Sequence, residues 1–193
     1  MKQRLLVCLL SILSINAYSQ SSCLQYKVET GISAGTGEHT PFWLVANKFG
    51  LSSIQKNTAY LSAGVFHQDN PQKKFSYAWG VEMGGAHNFT SGFFIQQAYL
   101  DLRYHKFVLS IGSKERGSEL KNDALSTGGL SLSSNARPVP QVRISLPEFI
   151  PVPGCRDWLH VKGHLAYGRF TDDSFQIDYV QGKNKYTKNT LYH

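Results

Sequence analysis

His160 and His164 stand four residues apart. On a helix that spacing puts both rings on one face, where they can share a zinc ion. On a strand it separates them by about 13 Å at ~3.3 Å per residue, too far for one ion. Val161 follows His160 where a metalloprotease helix carries Glu, so lumen-lining or solvated histidines are expected, and no metal. Asp172-Asp173, beside Arg169 and Thr171, would need a distant third carboxylate to hydrolyse a glycosidic bond. A solvated turn is the expected role. Gly35-Thr36-Gly37 has Thr40 where a dinucleotide fingerprint has its third glycine, and neither a Gly-Lys-Ser/Thr loop nor a Gly-x-Ser-x-Gly elbow occurs. Asn88-Phe89-Thr90 matches a glycosylation sequon, a three-residue match that chance supplies often. No enzyme, catalytic group or cofactor is predicted.

Ser113-Lys114-Glu115-Arg116-Gly117 is a charged cluster at the point where a strand meets a long loop. Adjacent charges at strand ends are ordinary, and a salt-bridged rim is the plain reading. The sharper reading is a rim that binds sugar or anion, with Arg137, Gln141 and Arg143 as neighbours, because the planar fork of Arg matches a carboxylate. The candidate polysaccharide-binding set is therefore Lys114, Glu115, Arg137, Gln141 and Arg143.

The elements that would position these residues follow a period of two. In Phe75-Ser76-Tyr77-Ala78-Trp79-Gly80-Val81-Glu82-Met83-Gly84 the bulky residues alternate with small ones and one Glu. Successive side chains of a strand point to opposite faces, so all the bulk lies on one side. The same alternation marks 26–32, 58–67, 97–104, 107–112, 141–146 and 159–167. About eight strand candidates result, several near the roughly 9–11 residues that a tilted strand needs to cross a bilayer. The non-apolar face carries Gly, Ala and Ser with isolated charges such as Glu82, Asp101, Arg103 and Arg143. That suits an enclosed interior better than a solvated face. Phe75, Trp79, Tyr104, Trp158 and Tyr167 would form an aromatic girdle. The predicted fold class is all-β: an antiparallel transmembrane β-barrel, an incomplete N-terminal part of a larger one, since the chain stops at Thr190-Leu191-Tyr192-His193 as if mid-strand. Residues 68–73 and 87–92 read as short turns, and 117–140 as a long loop facing outward or folded into the lumen. Residues 147–154, with three prolines, are expected outside any ladder.

Lys2 and Arg4, the apolar run from Leu5 to Ile15 and the small-residue exit Ala17-Tyr18-Ser19 form a secretory leader. Residues 1–19 are assigned to that signal peptide and 20–193 to the barrel domain. The run is too short to span a bilayer, and Gln20-Ser21-Ser22 before Cys23 is a poor lipoprotein box. Of 193 residues 12% are aromatic and only 17% charged, against a usual charged fraction of about 25%, which excludes a disordered chain. Loss of Lys2 and Arg4 lowers the formal charge from +7 to +5. That excess suits acidic polysaccharide or lipid headgroups. Lys and Arg form no dense run interleaved with aromatics, so nucleic acid is not expected. Cys8 leaves with the leader, and Cys23 and Cys155 are too little evidence for a bridge.

The runs Gly37-Glu38-His39-Thr40-Pro41-Phe42-Trp43-Leu44, Ile111-Gly112-Ser113-Lys114-Glu115, Asn135-Ala136-Arg137-Pro138-Val139-Pro140-Gln141-Val142-Arg143 and Lys162-Gly163-His164-Leu165-Ala166-Tyr167-Gly168-Arg169-Phe170 occur in that order. Together they resemble the Wzi capsule-assembly family over most of the chain after about residue 25. The resemblance implies a large, longer outer-membrane barrel that holds capsular polysaccharide at the cell surface without catalysis. It transfers no binding residue individually. A passive porin or transport channel of the outer membrane is the alternative, and a secreted soluble β-sandwich a third. Sugar identity, total strand number and oligomeric state are not legible in the sequence.

Overall fold

The computed structural model describes residues 12–21 (backbone only), 23–35, 40–117, 125, 134–155, 158–171, 177 and 190–192. They form nine strands in one sheet whose spatial order is the chain order. These are β1 (Ile12–Ser21), β2 (Leu24–Ser33), β3 (Thr58–His67), β4 (Phe75–His87), β5 (Phe93–Tyr104), β6 (Phe107–Ser113), β7 (Gln141–Pro151), β8 (His160–Arg169) and β9 (Leu191–Tyr192). A single four-residue helix, α1 (Phe42–Val45), is the only helical element that spans a turn among the described residues. Every neighbouring pair is antiparallel. β1 and β9 lie at opposite edges of the sheet. The expected all-β antiparallel sheet is present; among the described residues it is open, not closed into a barrel.

Register and alternation give the two faces opposite chemistry. On β4, Ser76, Ala78, Gly80 and Glu82 are buried while Phe75, Tyr77, Val81 and Met83 are exposed. On β5 the outward set is Phe93, Ile95, Leu100 and Tyr104, with Phe94, Gln96, Gln97 and Asp101 turned inward and buried. Among the described residues nine buried ones are polar or charged and five are apolar. A water-soluble domain has the reverse bias, because sequestering apolar surface is what drives its folding. Here the side chains withdrawn from solvent are the small and polar ones, and Leu165 on β8 is left 81% exposed.

Aromatic residues concentrate toward one end of the outer face. Phe75, Tyr104 and Phe107 lie in one cross-strand row, and His67 stacks on Tyr77 at 5.0 Å and on Trp79 at 6.3 Å. Exposed Trp158 lies in the β7–β8 connection at this same end, whereas Tyr167 lies toward the other end of β8. This end carries the shorter connections, residues 68–74 between β3 and β4, 105–106 between β5 and β6, and 152–159 between β7 and β8. The opposite end carries residues 34–57 and 114–140, with only 88–92 short.

One expectation needs correction. β7 runs on to Pro151 through Pro147, although residues 147–154 were expected outside the ladder. It does so with a register shift between Leu146 and Ile150, where pairing lapses and then resumes at Ile150↔Val161. A proline is tolerated at such an irregularity because the ladder asks for no N–H there. The apolar stretch read as a leader contributes β1, whose residues pair one for one with β2 from Ile12↔Ser33 to Ser21↔Leu24. This is the arrangement of the uncut chain. Cys23 and Cys155 are both free thiols.

Candidate functional site

The inner face is built around Glu82, whose side chain is wholly buried. Lys27 on β2 reaches Glu82 Oε1 at 3.0 Å and Glu29 Oε2 at 2.9 Å. Ser62 Oγ donates to Glu82 Oε1 at 2.9 Å, Gln97 Nε2 donates to Glu82 Oε2 at 3.0 Å, and Tyr60 Oη donates to Glu29 at 2.7 Å. Four adjacent strands are joined by charge-assisted hydrogen bonds. Glycines make room for the rings between them: a Cβ added at Gly31 would lie 2.7 Å from Tyr60 Cζ, and one at Gly80 2.7 Å from Tyr99 Cε1.

A β-bulge on β5 ties this wall to the long loops. Glu82 pairs with Gln97 and Met83 with Ile95, leaving Gln96 as the extra residue. A bulge sets two residues against one and re-aims side chains, so Gln96 and Gln97 both turn inward and are buried. Gln96 Nε2 donates to the Phe49 carbonyl at 2.9 Å and to Glu115 Oε1 at 2.6 Å, while Glu115 N–H donates to Gln97 Oε1 at 3.0 Å. Phe49 N–H in turn bonds the Ser134 carbonyl at 2.6 Å, and Asn47 N–H bonds Asn135 Oδ1 at 2.8 Å. The two long connections are thereby knitted together over the inner face at the loop end, with Leu51 and Ser134 buried between them. Burial pushes the Glu115 carboxyl above its ordinary range. Glu82 and Glu29 add to that rise; the Gln96 hydrogen bond and Lys27 oppose it.

The five residues singled out from the sequence all lie on this wall or its rim, in two groups. Glu115 and Arg137 sit under the loops and touch β5 two residues apart, Glu115 at Gln96 and Arg137 over the Phe94 ring at 4.9 Å. Burial lowers the Arg137 guanidinium pKa. Gly50, at φ +76, lets the loop pass against Arg137, where a Cβ would come 2.7 Å from its Cγ. Lys114, Gln141 and Arg143 form the second group. Lys114 pairs with Asp101 and lies over the Tyr99 ring at 4.4 Å. Gln141 and Arg143 are inner-face residues of β7, opposite Gly112 and Ser110 of β6. Several buried inner-wall acceptors lack a hydrogen-bond donor, namely Gln96 Oε1, Asp101 Oδ1, Gln141 Oε1 and Ser76 Oγ.

His160 and His164 both fall on β8. Asp172-Asp173 and residues 37–39 of the first family-like run lie outside the described residues. What the sequence reading missed is the Lys27–Glu29–Glu82 ion cluster and the Gln96–Glu115 tie. Lys27 and Glu29 do alternate with apolar neighbours in the sequence, as Glu82 does, so their shared face was visible. That their charges meet was not, because it depends on a register between strands far apart in sequence. No protein-family model matches the chain, and neither a curated protein nor a solved structure matches it.

Proposed function

We propose that this chain is a non-catalytic outer-membrane β-barrel protein that binds or anchors acidic capsular or surface polysaccharide, with residues 1–19 as its export leader. The observation that carries the proposal is the inverted sheet: an apolar, aromatic-banded face open to the surroundings and a buried polar inner face roofed by loops. Lipid solvates such an outer face, and the alternation with short turns at one end suits a transmembrane barrel. Strands of 10 to 13 residues in β2 to β5 reach the roughly 9–11 needed to cross. Lys114, Arg137 and Arg143 give the loop end and wall a cationic lining for carboxylate-bearing sugars, and the four sequence runs similar to the Wzi family support the same reading.

The test is fractionation followed by glycan retention. The full chain, expressed with its leader, is expected in the outer-membrane fraction, extractable only with detergent. The detergent-solubilised protein is expected to retain acidic capsular glycan on a column, with Arg137→Ala eluting earlier. Recovery in a buffer extract without detergent, or indifference to every surface glycan of the host, would defeat the proposal. The charged inner wall favours a second reading, a passive channel. Steady single-channel conductance in a planar bilayer would support that reading, whereas the loop roof predicts little current.

A further inference from the structure

The outer face at the short-turn end carries a recess and a charge pattern that a glycan partner does not use. Phe75, Tyr104 and Phe107 stand exposed in the last cross-strand row. The row beside it is Leu102–Leu109–Ile144, with both leucines half-buried. These six side chains border a groove of about 270 Å³. A recess of that size, near the lower bound for pockets that enclose a small ligand, takes a length of acyl chain rather than a whole lipid. Arg103, which also borders it, is held by Asp69. The turns that close this end are basic: Lys73 and Lys74 precede Phe75, and His105-Lys106 joins Tyr104 to Phe107. His105 N–H donates to the Lys74 carbonyl at 2.8 Å, which holds the two turns side by side. All three lysines are exposed, and none is in an ion pair among the described residues. The described acids at this end are Asp69, already engaged by Arg103, and Glu148 of β7. Lysine stems lie along apolar surface while their ammonium groups reach headgroup level, where each strengthens attachment to an anionic surface. An uncharged lipid would cover the rings equally well and leave these cations without a counter-charge.

We infer that this groove and its two basic turns form a site for one anionic phospholipid of the adjoining leaflet, with an acyl chain against Leu102, Leu109 and Ile144 and the phosphate at Lys73, Lys74 and Lys106. The inference rests on the membrane part of the proposed function and is independent of glycan binding.

The test reconstitutes the full chain with Tyr104→Trp as its single tryptophan, Trp43, Trp79 and Trp158 being replaced by Phe. Vesicles of phosphatidylcholine are doped with dibrominated phosphatidylglycerol or with dibrominated phosphatidylcholine, whose chains quench a ring they touch. Phosphatidylglycerol is expected to quench at a mole fraction lower by on the order of tenfold, a preference that shrinks as salt rises. Lys74→Gln with Lys106→Gln is expected to remove the preference. Lys48→Gln with Lys56→Gln, which removes the same charge at the opposite end, is expected to leave it unchanged. The unsubstituted chain, whose Trp79 and Trp158 lie at the same end, is read in parallel and should rank the two lipids in the same order. Equal quenching by both lipids, or a preference that outlasts loss of the turn lysines, would overturn the site and leave the membrane reading standing. A chain that floats with the vesicles but is quenched by neither lipid would have this face covered by a second copy, which also overturns the site. A chain that does not float with vesicles of either composition would overturn the site and the membrane reading together.

Discussion

The side chain on which most of the inner wall depends is Lys27. Among the described residues it ion-pairs with both Glu29 and Glu82, and Glu82 is fully enclosed. Deleting one member of a buried ion cluster leaves the others uncompensated, at a cost of about 3–5 kcal/mol. Lys27→Met is therefore expected to lower the urea-unfolding free energy of the micelle-bound chain by that order, whereas Glu29→Gln, which leaves the Lys27–Glu82 pair standing, should cost less. Glu115 gives a signature in pH. Its folded-state carboxyl titrates above the ordinary value because burial disfavours the charged form. The folded chain thus holds more protons than the unfolded one in the window above the ordinary carboxylate pKa. Stability from this group is present at low pH and lost as pH rises through the raised value. Glu115→Gln should flatten that decline above the ordinary carboxylate range. At this scale the sequence was partly legible: Glu82, Asp101 and Arg143 read as interior charges because each sits in a small-residue register. The partners of Glu82 were not, since the pairs Lys27–Glu82 and Gln97–Glu82 are made across strands.

Among the elements, β3 was legible to the residue, Thr58–His67, because its alternation is bounded by Asn57 on one side and a Gln-Asp-Asn-Pro turn on the other. β7 was not, because Pro147 is a sound stop signal that an irregular ladder steps around. The bulge on β5 was invisible for a related reason. Gln96-Gln97 breaks the alternation, yet nothing local says whether the break ends a strand or inserts a residue. Its energetic meaning is open to a clean experiment. Removing Gln96 places Ile95 directly before Gln97, which keeps the pairs Glu82↔Gln97 and Met83↔Ile95 and restores a regular ladder. The variant lacking Gln96 is expected to retain its strand circular dichroism. Loop 40–57 and residue Glu115 should lose their anchor, and limited proteolysis should cut that loop several-fold faster. Unchanged proteolysis would show that Phe49–Ser134 and Asn47–Asn135 hold the loops unaided.

For the whole molecule, the two-faced character of the sheet was legible and its closure was not. Alternation fixes which residues share a face, and the exposed Phe75, Tyr104 and Phe107 fall on the face the pattern assigns to bulk. Closure depends on what meets the two outermost strands, which no periodicity encodes. At one of those borders, β2 is matched along its full ten residues by β1, eight of whose residues belong to the segment proposed to be clipped off. Clipping before Gln20 would leave only Gln20 and Ser21 in place and strip the β1-facing backbone amides and carbonyls of β2 beyond Gln25 of their mates, while those facing β3 stay paired. An unmated ribbon of that length is a template for adventitious pairing and aggregation. The same peptide that addresses the chain for export would thus double as a temporary guard, and the newly bared polypeptide would be at its most vulnerable between the moment of cutting and the moment another ribbon takes its place.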